Sequence, residues 1–410
     1  MAGSGKTIAV VVPSILNCGG VASVAEFVIR AIRDRTDHDY RVISLAMAAR
    51  DPSSLLITDP STWMRGVTTH EGDFRGEAFT HVGAVAPEIE VRRFLPRARL
   101  VRELAGADLI QVVSGVPAWA HPVTGLGIPV SLQVATLIDV ERRHKDTLHR
   151  GLVGAWRREM TRRVRRLDDI ALRAVDAVQV ENSWMLDHCR DAARSGSDVR
   201  FAAPGVDADL FRPADQSPAL PGYIVSVGRM SDPRKRHMLL LEAYRLLCER
   251  MPAPPRLALA GPNGPTPEFE AKAREIGLWD QIDLHIFPSK PDLAALYRNA
   301  SAFVLASDEE GFGVTVIEAM ASGTPPVSTR SGGPDDIIAD GKDGFLVDRD
   351  DAAALADRLF RVTNDAEVNA SMRAEARRKV VERYSEDATA RAFIEVFDTL
   401  LGISQGEAAA

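Results

Sequence analysis

The chain has 410 residues, which is longer than one hydrophobic core comfortably serves, so its length predicts two domains of ordinary size. Its 50 basic and 57 acidic residues give a formal net charge of -7, which argues against an overall field that favours nucleic acid or an anionic membrane. Three scattered cysteines argue against a disulfide framework or a thiolate zinc site and favour a reducing compartment. The predicted localisation is therefore cytoplasmic. No stretch approaches the roughly 20 apolar residues of a membrane helix, so no segment is predicted to span a bilayer.

In the first half of the chain, short apolar runs alternate with helical patterns, which is typical of βαβ units and a parallel sheet. A helix is predicted near 22–34. The stretch from about 50 to 95 is rich in Pro, Gly, Ser and Thr and is predicted to be irregular, and at that length we expect it to shape an acceptor pocket. Strands are predicted near 8–12, 41–45, 108–113, 129–134, 177–180 and 199–203.

The second half repeats the alternation with more regular strands, each followed by Gly or Pro and then a helix. Residues 204–222 contain four prolines, a composition that interrupts helices and marks a domain boundary. The predicted fold class is therefore α/β, with two Rossmann-like, doubly wound domains that face each other across a cleft, because such sheets bind ligands beyond the carboxyl ends of their strands. Strands are predicted at 223–227, 257–260, 282–286 and 302–305.

The strongest motif begins at Glu310 and reads EGFGVTVIEAMASGTPPV. A strand is predicted to end near Ala306, a glycine-containing loop carries Glu310, and a helix that begins around Val314 carries Glu318 about one turn in. The loop and the helix N-terminus offer N–H donors and a positive dipole to an anion such as a diphosphate, while Glu318 can accept hydrogen bonds from hydroxyls. On loop chemistry alone, the glycines could equally serve a tight turn and leave both glutamates solvated.

A second phosphate-type motif, GRMSDPRKR, follows the first strand of the same half. Arg229 offers a planar fork of donors and Lys235 a point charge, so both could contact an anion. The alternative is a solvated basic loop. Because two such motifs occur in one domain, they favour a diphosphate site there.

Together, the spacing E-x7-E with Gly-Phe-Gly between the glutamates and the preceding Gly-Arg-x5-Lys resemble the retaining glycosyltransferases of family 4, the group 1 type, which have the GT-B architecture. The similarity extends to Pro204-Gly205-Val206-Asp207, to 180–185 and to Glu382-Arg383-Tyr384-Ser385. The resemblance implies an acceptor-binding domain at 1–210 and a donor-binding domain at 211–385. It also implies a last helix, 386–410, that packs back on the first domain.

The resemblance also assigns roles in the donor site. The predicted catalytic residues are Glu310, which would hold the donor sugar, and Arg229 and Lys235, which would neutralise the leaving diphosphate. Glu318 would bind the ribose hydroxyls, and the backbone near Phe287 would meet the base. Further donor contacts are implied for Gly311, Phe312 and Gly313 with the sugar, for Val314 and Thr315 with the distal phosphate, and for Gly19 and Gly20 in the loop after the first strand, where the alternative is a simple strand-to-helix turn.

One position departs from the family. Members often carry a His that helps hold the donor sugar, but the matching position here is Ala135, so the identity of the sugar is not implied. His121 could substitute, with a purely structural histidine as the alternative. Gly3-Ser4-Gly5-Lys6-Thr7 lacks the remainder of a P-loop, and Asp207-Ala208-Asp209 is interpreted as turn chemistry. We expect no obligatory metal and no cofactor beyond the nucleotide-sugar co-substrate.

The segment 141–166 holds ten Lys or Arg against three acidic residues, a local charge of +7. Interleaved apolar residues allow an amphipathic basic helix that contacts the inner face of a membrane peripherally, which would suit a lipid-linked acceptor. The alternatives are an exposed basic helix that packs its apolar side on its own domain, and a site for an anionic acceptor. The apolar residues are Leu148, Leu152, Val153, Trp156, Met160 and Val164.

The resemblance implies transfer of a sugar, with retention, from a nucleoside diphosphate to an acceptor hydroxyl. UDP is the expected carrier because it is the commonest in the family. The acceptor, a small molecule, a glycan or a lipid-linked molecule, is not specified, and no nucleic acid is expected. A nucleotide-sugar epimerase, a glycoside phosphorylase and a non-catalytic donor-binding protein stay open as alternatives on the same architecture.

Overall fold

The computed structural model describes residues 5–16, 20–148 and 151–403, with only the backbone for 144–148. The chain forms two compact units. The first comprises the residues up to Pro204 together with those from Thr389 onward, and the second comprises Gly205–Ala388. Among the described residues, no helix is both long and apolar enough to cross a membrane.

The first domain contains an eight-stranded sheet with the order β3-β4-β2-β1-β5-β6-β7-β8, in which only the β3–β4 pair is antiparallel. Its strands are β1 (Thr7–Pro13), β2 (Asp39–Leu45), β3 (Thr69–Phe74), β4 (Glu77–Val82), β5 (Leu109–Ser114), β6 (Val130–Val134), β7 (Ala177–Val180) and β8 (Asp198–Phe201). Its helices are α1 (Gly20–Arg35), α2 (Ser61–Arg65), α3 (Ala98–Glu103), α4 (Ile138–Leu148), α5 (Gly151–Ala174), α6 (Ser183–Ala192) and, from the end of the chain, α14 (Glu386–Leu401).

The central strand β1 is apolar and buried from Ile8 to Pro13 because both faces of the sheet are covered. Ile8, Val10 and Val12 face a core that includes α1 and α14. Ala9 and Val11 face a second core on the opposite side, which includes residues of α5. The last helix therefore completes the core of the first domain, with Phe393 packed edge-on against Phe27 at 5.3 Å between ring centroids.

The stretch 50–95 is not irregular throughout, so that prediction was wrong in part. It contains α2 and the hairpin of β3 and β4, and β4 continues the sheet by pairing in parallel with β2. The hairpin turn consists of Arg75 and Gly76, both with positive φ, as tight hairpins require. Strand β3 lies at the sheet edge and is mostly exposed and polar, which is why its composition indicated a loop.

The second domain contains a six-stranded, fully parallel sheet with the order β11-β10-β9-β12-β13-β14. The short strands β13 and β14 were not predicted. Its strands are β9 (Tyr223–Val227), β10 (Arg256–Gly261), β11 (Ile282–Ile286), β12 (Ala302–Leu305), β13 (Pro326–Thr329) and β14 (Phe345–Val347). Its helices are α7 (His237–Arg250), α8 (Pro267–Glu275), α9 (Lys290–Asn299), α10 (Val314–Ala321), α11 (Gly333–Ile337), α12 (Ala352–Asn364) and α13 (Ala366–Arg383).

Candidate active site

The site of the second domain lies where its strand order reverses. After β9 the chain proceeds to β10 and β11 on one side, and β12 then returns to pair with β9 on the other side. Doubly wound sheets bind ligands at the carboxyl ends of the strands that flank such a reversal. The Arg229 loop follows β9 and the Glu310 loop follows β12, so both sequence motifs lie at this point.

These two loops are joined residue by residue. Among their backbone contacts, the N–H of Asp308 donates to the carbonyl of Arg234 at 2.8 Å. Within 228–236 and 307–313, four cations face four carboxylates, so the loops balance their own charge. The side-chain pairs are Arg234 Nη1 with Glu309 Oε2 at 3.1 Å, Lys235 Nζ with Glu310 Oε1 at 2.6 Å, and Arg236 Nε with Asp308 Oδ1 at 3.5 Å.

Glu310 is held from several directions. Its Oε1 accepts from Lys235 and also from the hydroxyl of Ser307 at 2.5 Å. Its backbone N–H donates to the carbonyl of Ser331, and its carbonyl accepts from the N–H of Gly333 at 3.0 Å. A Cβ on Gly333 would lie 1.9 Å from the carbonyl oxygen of Phe312, so only glycine permits this close approach. The loop position of Glu310 is therefore fixed by β13 as well as by Lys235.

Asp232 organises the cations of the Arg229 loop. Burial tends to raise its pKa, but hydrogen bonds with Arg234 and the charges of Arg234 and Arg229 lower the pKa of Asp232 to about 2. Arg229 Nη2 lies 3.1 Å from its Oδ2. The Arg229 side chain is 48% exposed, whereas that of Lys235 is 15% exposed, so Arg229 is the more accessible of the two predicted phosphate ligands.

The helix α10 begins where the sequence predicted. Gly313 precedes it with φ of +107°, a conformation that favours glycine, and Val314 and Thr315 form its first turn without an acidic side chain. The first N–H groups of a helix have no partner within it, so they face outward at the positive end of the dipole. Phe312 is buried, with its ring centroid 5.9 Å from that of Tyr384, while Gly311 is partly exposed.

Glu318 lies one turn into α10 and is half-buried. The hydroxyl of Tyr297, on α9, donates to its Oε2 at 3.1 Å. Burial, together with the charge of Glu318, raises the pKa of Tyr297 well above its usual value, so this hydroxyl stays protonated and donates. The carboxylate of Glu318 is therefore oriented by a neutral donor.

Phe287 directly follows β11 and is 75% exposed, with φ of +51°. Its N–H already donates to the carbonyl of Gly261 at 2.8 Å, so a base could use its carbonyl or ring but not this N–H. A pocket of about 490 Å³ lies between the end of β11 and α9 and is lined in part by Phe287, His285 and Asp292. Its lining includes none of the predicted phosphate or ribose residues.

In the first domain, Gly19 lies outside the described residues, and Gly20 is the exposed first residue of α1. The carbonyl of Ala135 accepts from the side-chain amide of Asn182 at 2.9 Å. His121 makes a hydrogen bond of 2.8 Å from Nδ1 to the carbonyl of Phe94, which favours its structural interpretation. Gly20 follows β1 and Ala135 follows β6, so both lie at the carboxyl edge of this sheet.

The carboxyl edge of the first sheet also holds buried polar groups that no motif indicated. The side chain of Gln133 donates to Glu181, and burial raises the pKa of Glu181 to about 7. Farther along the edge, His81 Nε2 lies 2.7 Å from Asp51 Oδ2 and its Nδ1 lies 3.1 Å from the hydroxyl of Ser44. In the part of the chain that the structure describes, no group of three or more His, Cys, Asp or Glu side chains could hold a metal ion.

Residues 207–379, which include both loops and Glu318, match the family model described as glycosyl transferases group 1. The second domain belongs to this family. The family predicted from the sequence is thereby confirmed. The match lies in the second domain, where the two motifs meet.

The chain has relatives named D-inositol 3-phosphate glycosyltransferase. The protein of Corynebacterium urealyticum is 32% identical over 220 residues, which cover 49% of this chain and 51% of the relative. The protein of Frankia alni is 38% identical over 180 residues, which cover 40% and 44% of the two chains. The chain thus spans about half the length of the curated relatives that it matches.

The similarity to solved structures extends over nearly the whole chain. Sucrose-phosphate synthase from Thermosynechococcus elongatus has a TM-score of 0.71 at 18% identity and covers 97% of this chain and 100% of its own. Anabaena HepE in complex with UDP and glucose has a TM-score of 0.66 at 15% identity, with coverages of 96% and 100%. These similarities show the GT-B fold, which confirms the predicted fold class.

Several residues of the site were not singled out from the sequence. Arg234 and Glu309 pair with each other between the two loops, and the hydroxyl of Ser307 donates to Glu310. In the neighbouring loops, the side chain of Asn263 donates to Ser231. Ser307 and Glu309 could have been found from the sequence, because they closely follow β12 at the reversal of strand order. The Gly332-Gly333 pair after β13 was a further signal of close backbone approach.

Proposed function

We propose that this chain is a retaining glycosyltransferase that transfers a sugar from a nucleoside-diphosphate sugar, with UDP as the carrier, to a hydroxyl of an acceptor. The contact between Lys235 and Glu310, just before the N-terminus of α10, is the observation that carries the proposal. It brings a cation, a carboxylate and helix amides to the reversal point of a doubly wound sheet. A sugar diphosphate uses the cation and amides for its phosphates and the carboxylate for its sugar hydroxyls.

The two loops suggest how the donor is accommodated. Lys235 is paired with Glu310, and Arg229 with Asp232. Donor phosphates would take over these cations, which frees a carboxylate oxygen of Glu310 for the sugar. Arg229 needs little movement because about half of its side chain is already exposed.

The remaining donor contacts follow from their positions. Val314 and Thr315 would bind the distal phosphate through their amides, and Gly311, Phe312 and Gly313 would bind the sugar. Glu318 would accept from the ribose hydroxyls, with Tyr297 holding its second oxygen in place. The base would lie against Phe287.

In the proposed reaction, the acceptor hydroxyl attacks the face from which the diphosphate departs, and a diphosphate oxygen takes its proton. The C1–O bond to the diphosphate breaks as the bond to the acceptor oxygen forms. Arg229, Lys235 and the α10 N-terminus stabilise the charge that develops on the leaving diphosphate, and no metal is required for this role. The protein otherwise contributes by positioning.

UDP is proposed because it is the commonest carrier in the family and because Anabaena HepE, of the same fold, is described in complex with UDP and glucose. D-inositol 3-phosphate is the first acceptor to test, since it gives the curated relatives their name. We propose that the first domain binds the acceptor and that its residues Gly19 and Gly20 bind the donor. We further propose that the reaction takes place in the cytoplasm.

The donor site is tested by thermal shift with UDP, GDP, ADP, TDP and their sugar conjugates, because a ligand of the folded state raises the apparent stability. We expect a shift with the uridine series that Glu318→Ala reduces, with Kd rising about 10- to 100-fold as a hydrogen bond to a charged group is lost. Glu242→Ala, on the exposed face of α7, is the matched control and should retain the full shift. No shift with any nucleotide would overturn the proposal.

The reaction class is tested by following the donor by NMR with and without an acceptor panel. Release of UDP together with a new glycoside of unchanged anomeric configuration supports the transferase. An isomerised donor without acceptor would identify an epimerase, and breakdown of a glycoside that depends on phosphate but not on nucleotide would identify a phosphorylase. Tight nucleotide binding without any turnover across the panel would indicate a donor-binding protein.

A further inference from the structure

The basic segment of the first domain lies on two consecutive helices, α4 and α5. In α5, one side packs into its own domain, where Val164, Leu167 and Leu172 belong to the core cluster. The buried carboxyl of Asp168 accepts from the N–H groups of Ala118 at 2.7 Å and Ile138 at 3.0 Å, which ties α5 to the start of α4. This side alone therefore holds α5 on the first domain.

A second apolar stripe runs along an exposed side of α5. Leu152 is 91% exposed, Trp156 55% and Ile170 49%. At 100° per residue, these three positions and the arginines between them fall within about 40° of one line, over a length of about 27 Å. The intervening positions on this line are Glu159, Arg163 and Arg166.

Folding of the first domain does not account for this stripe. The predicted alternative was a helix that packs its apolar side on its own domain, and it holds for Met160 and Val164. It does not hold for Leu152, Val153 and Trp156, which are exposed. The apolar residues of α5 thus divide between the core and the outer surface.

The charge around the stripe is strongly positive. Arg162 and Arg163 share the carboxylate of Glu159. Arg158 and Arg166 are exposed and form no ion pair with the described residues. Aliphatic side chains and a tryptophan among arginines match an anionic lipid surface, where tryptophan lies at headgroup level and arginine binds phosphate. A nucleic acid would use the arginines but would gain little from Leu152 and Ile170.

We propose that this stripe, Leu152, Trp156, Arg163, Arg166 and Ile170, binds the surface of an anionic lipid bilayer with α5 parallel to the membrane plane. The apolar side chains enter the interfacial region and the arginines contact lipid phosphates. The binding is peripheral. It does not depend on the donor site, so it can be tested even if the proposed transfer reaction is wrong.

The test is sedimentation of the full chain with vesicles of phosphatidylcholine alone or in an equal mixture with phosphatidylglycerol. We expect binding to the mixed vesicles, with about fivefold weaker affinity for each arginine lost, which corresponds to about 1 kcal/mol per basic residue at such a surface. Arg163→Glu/Arg166→Glu should therefore reduce binding by more than an order of magnitude. Arg102→Glu/Arg190→Glu, two exposed arginines elsewhere in this domain, is the control of equal charge and should bind like the unaltered protein.

The apolar part of the stripe is tested with Leu152→Ser/Trp156→Ser, which should lose about tenfold or more in affinity as buried CH2 groups are removed. Met64→Ser, at a fully exposed apolar residue of the same domain, is the control and should not change binding. Trp156 also provides a direct signal, because mixed vesicles should shift tryptophan emission to shorter wavelength in the unaltered protein but not in Trp156→Phe. Thermal midpoints of all variants establish that they are folded.

Absence of binding to mixed vesicles by the folded, unaltered protein would overturn the proposal. Equal binding to both vesicle types, or equal loss with the control variants, would also contradict it. Retention on duplex RNA or on polyglutamate without vesicle binding would assign the basic stripe to an anionic polymer instead.

Discussion

At the carboxyl edge of the second sheet, acidic side chains are paired with cations, as Asp232 is with Arg234 and Arg229. In the first domain, Glu181 lies at the corresponding edge with only an amide donor, and Asp168 has two backbone donors. Pairing lowers the pKa of Asp232 to about 2 despite its burial, whereas burial raises the pKa of Glu181 and of Asp168 to about 7. Two sheets of the same type therefore differ in electrostatics, and their stabilities should respond to pH in opposite directions.

The largest expected effect comes from breaking a pair in the second domain. Lys235→Ala removes the cation from Glu310 and from the proposed leaving diphosphate. We expect kcat to fall by about 10²- to 10³-fold, in the range seen when one preorganised electrostatic contact is lost, with a much smaller change in KM. Steady-state kinetics with a saturating acceptor measure both constants.

Lys379→Ala is the matched control for Lys235, because Lys379 is paired with the buried Asp343 in the same domain and away from the two loops. It should lower the thermal midpoint while kcat stays unchanged. Equal losses of kcat in the two variants, or a parallel loss in kcat and KM for Lys235→Ala, would contradict the assigned role.

Glu181 tests the buried acids of the first domain. Its pKa is raised from 4.5 to about 7 in the folded state, so its contribution to stability is present below pH 4.5 and is lost as pH rises through 7. The difference is on the order of 3 kcal/mol. We expect Glu181→Gln to lose less stability than the wild type between pH 4.5 and 7, because it lacks the contribution of Glu181 and keeps only that of Asp168.

Thermal unfolding at stepped pH measures this dependence, with Glu71→Gln on the exposed strand β3 as the control. The control should keep the slope of the unaltered protein. A slope in Glu181→Gln as steep as that of the unaltered protein would show that Glu181 titrates as it does in the unfolded chain.

His237 provides the opposite sign in the second domain. Burial lowers its pKa from 6.5 to about 4, so stability is full above pH 6.5 and is lost as pH falls through 4. The expected loss is also on the order of 3 kcal/mol, and His237→Gln should remove it. The control is His285→Gln, at a half-exposed histidine of the same domain, which should leave the loss of stability in acid unchanged. If His237→Gln still loses this stability in acid, His237 is not its cause.

The smallest expected effect concerns Asp232. Because its pKa falls from 3.8 to about 2, its charged pairs stabilise the domain above pH 3.8 and are lost as pH falls through 2. Asp232→Asn should therefore cost on the order of 2 kcal/mol of unfolding free energy at neutral pH. Denaturant unfolding measures it, and Asp280→Asn, at a residue away from the loops, is the control. If Asp232→Asn costs no more unfolding free energy than Asp280→Asn, the pairing of Asp232 with Arg229 and Arg234 does not stabilise the domain.

Much of the fold could be predicted because most strands are buried and appear in the sequence as short runs of apolar residues. The motif around Glu310 could be located because the start of a helix has a recognisable local sequence. The hairpin of β3 and β4 could not be predicted, because β3 is an edge strand with a polar sequence. The pairing of Arg234 with Glu309 joins residues 75 positions apart, which local patterns do not report. The raised pKa of Glu181 likewise depends on burial by elements distant in sequence.

The first domain is interrupted in sequence by the whole of the second, since its core includes Ala390, Phe393 and Phe397 of α14. During synthesis the ribosome therefore releases every residue of the second domain before the first domain receives its last core side chains. Domains generally fold as units as they emerge, so the half made first would be completed last. Until α14 arrives, the face of β1 that bears Ile8 and Val10 lacks part of its cover, which makes nascent chains stalled before α14 the expected point of chaperone binding.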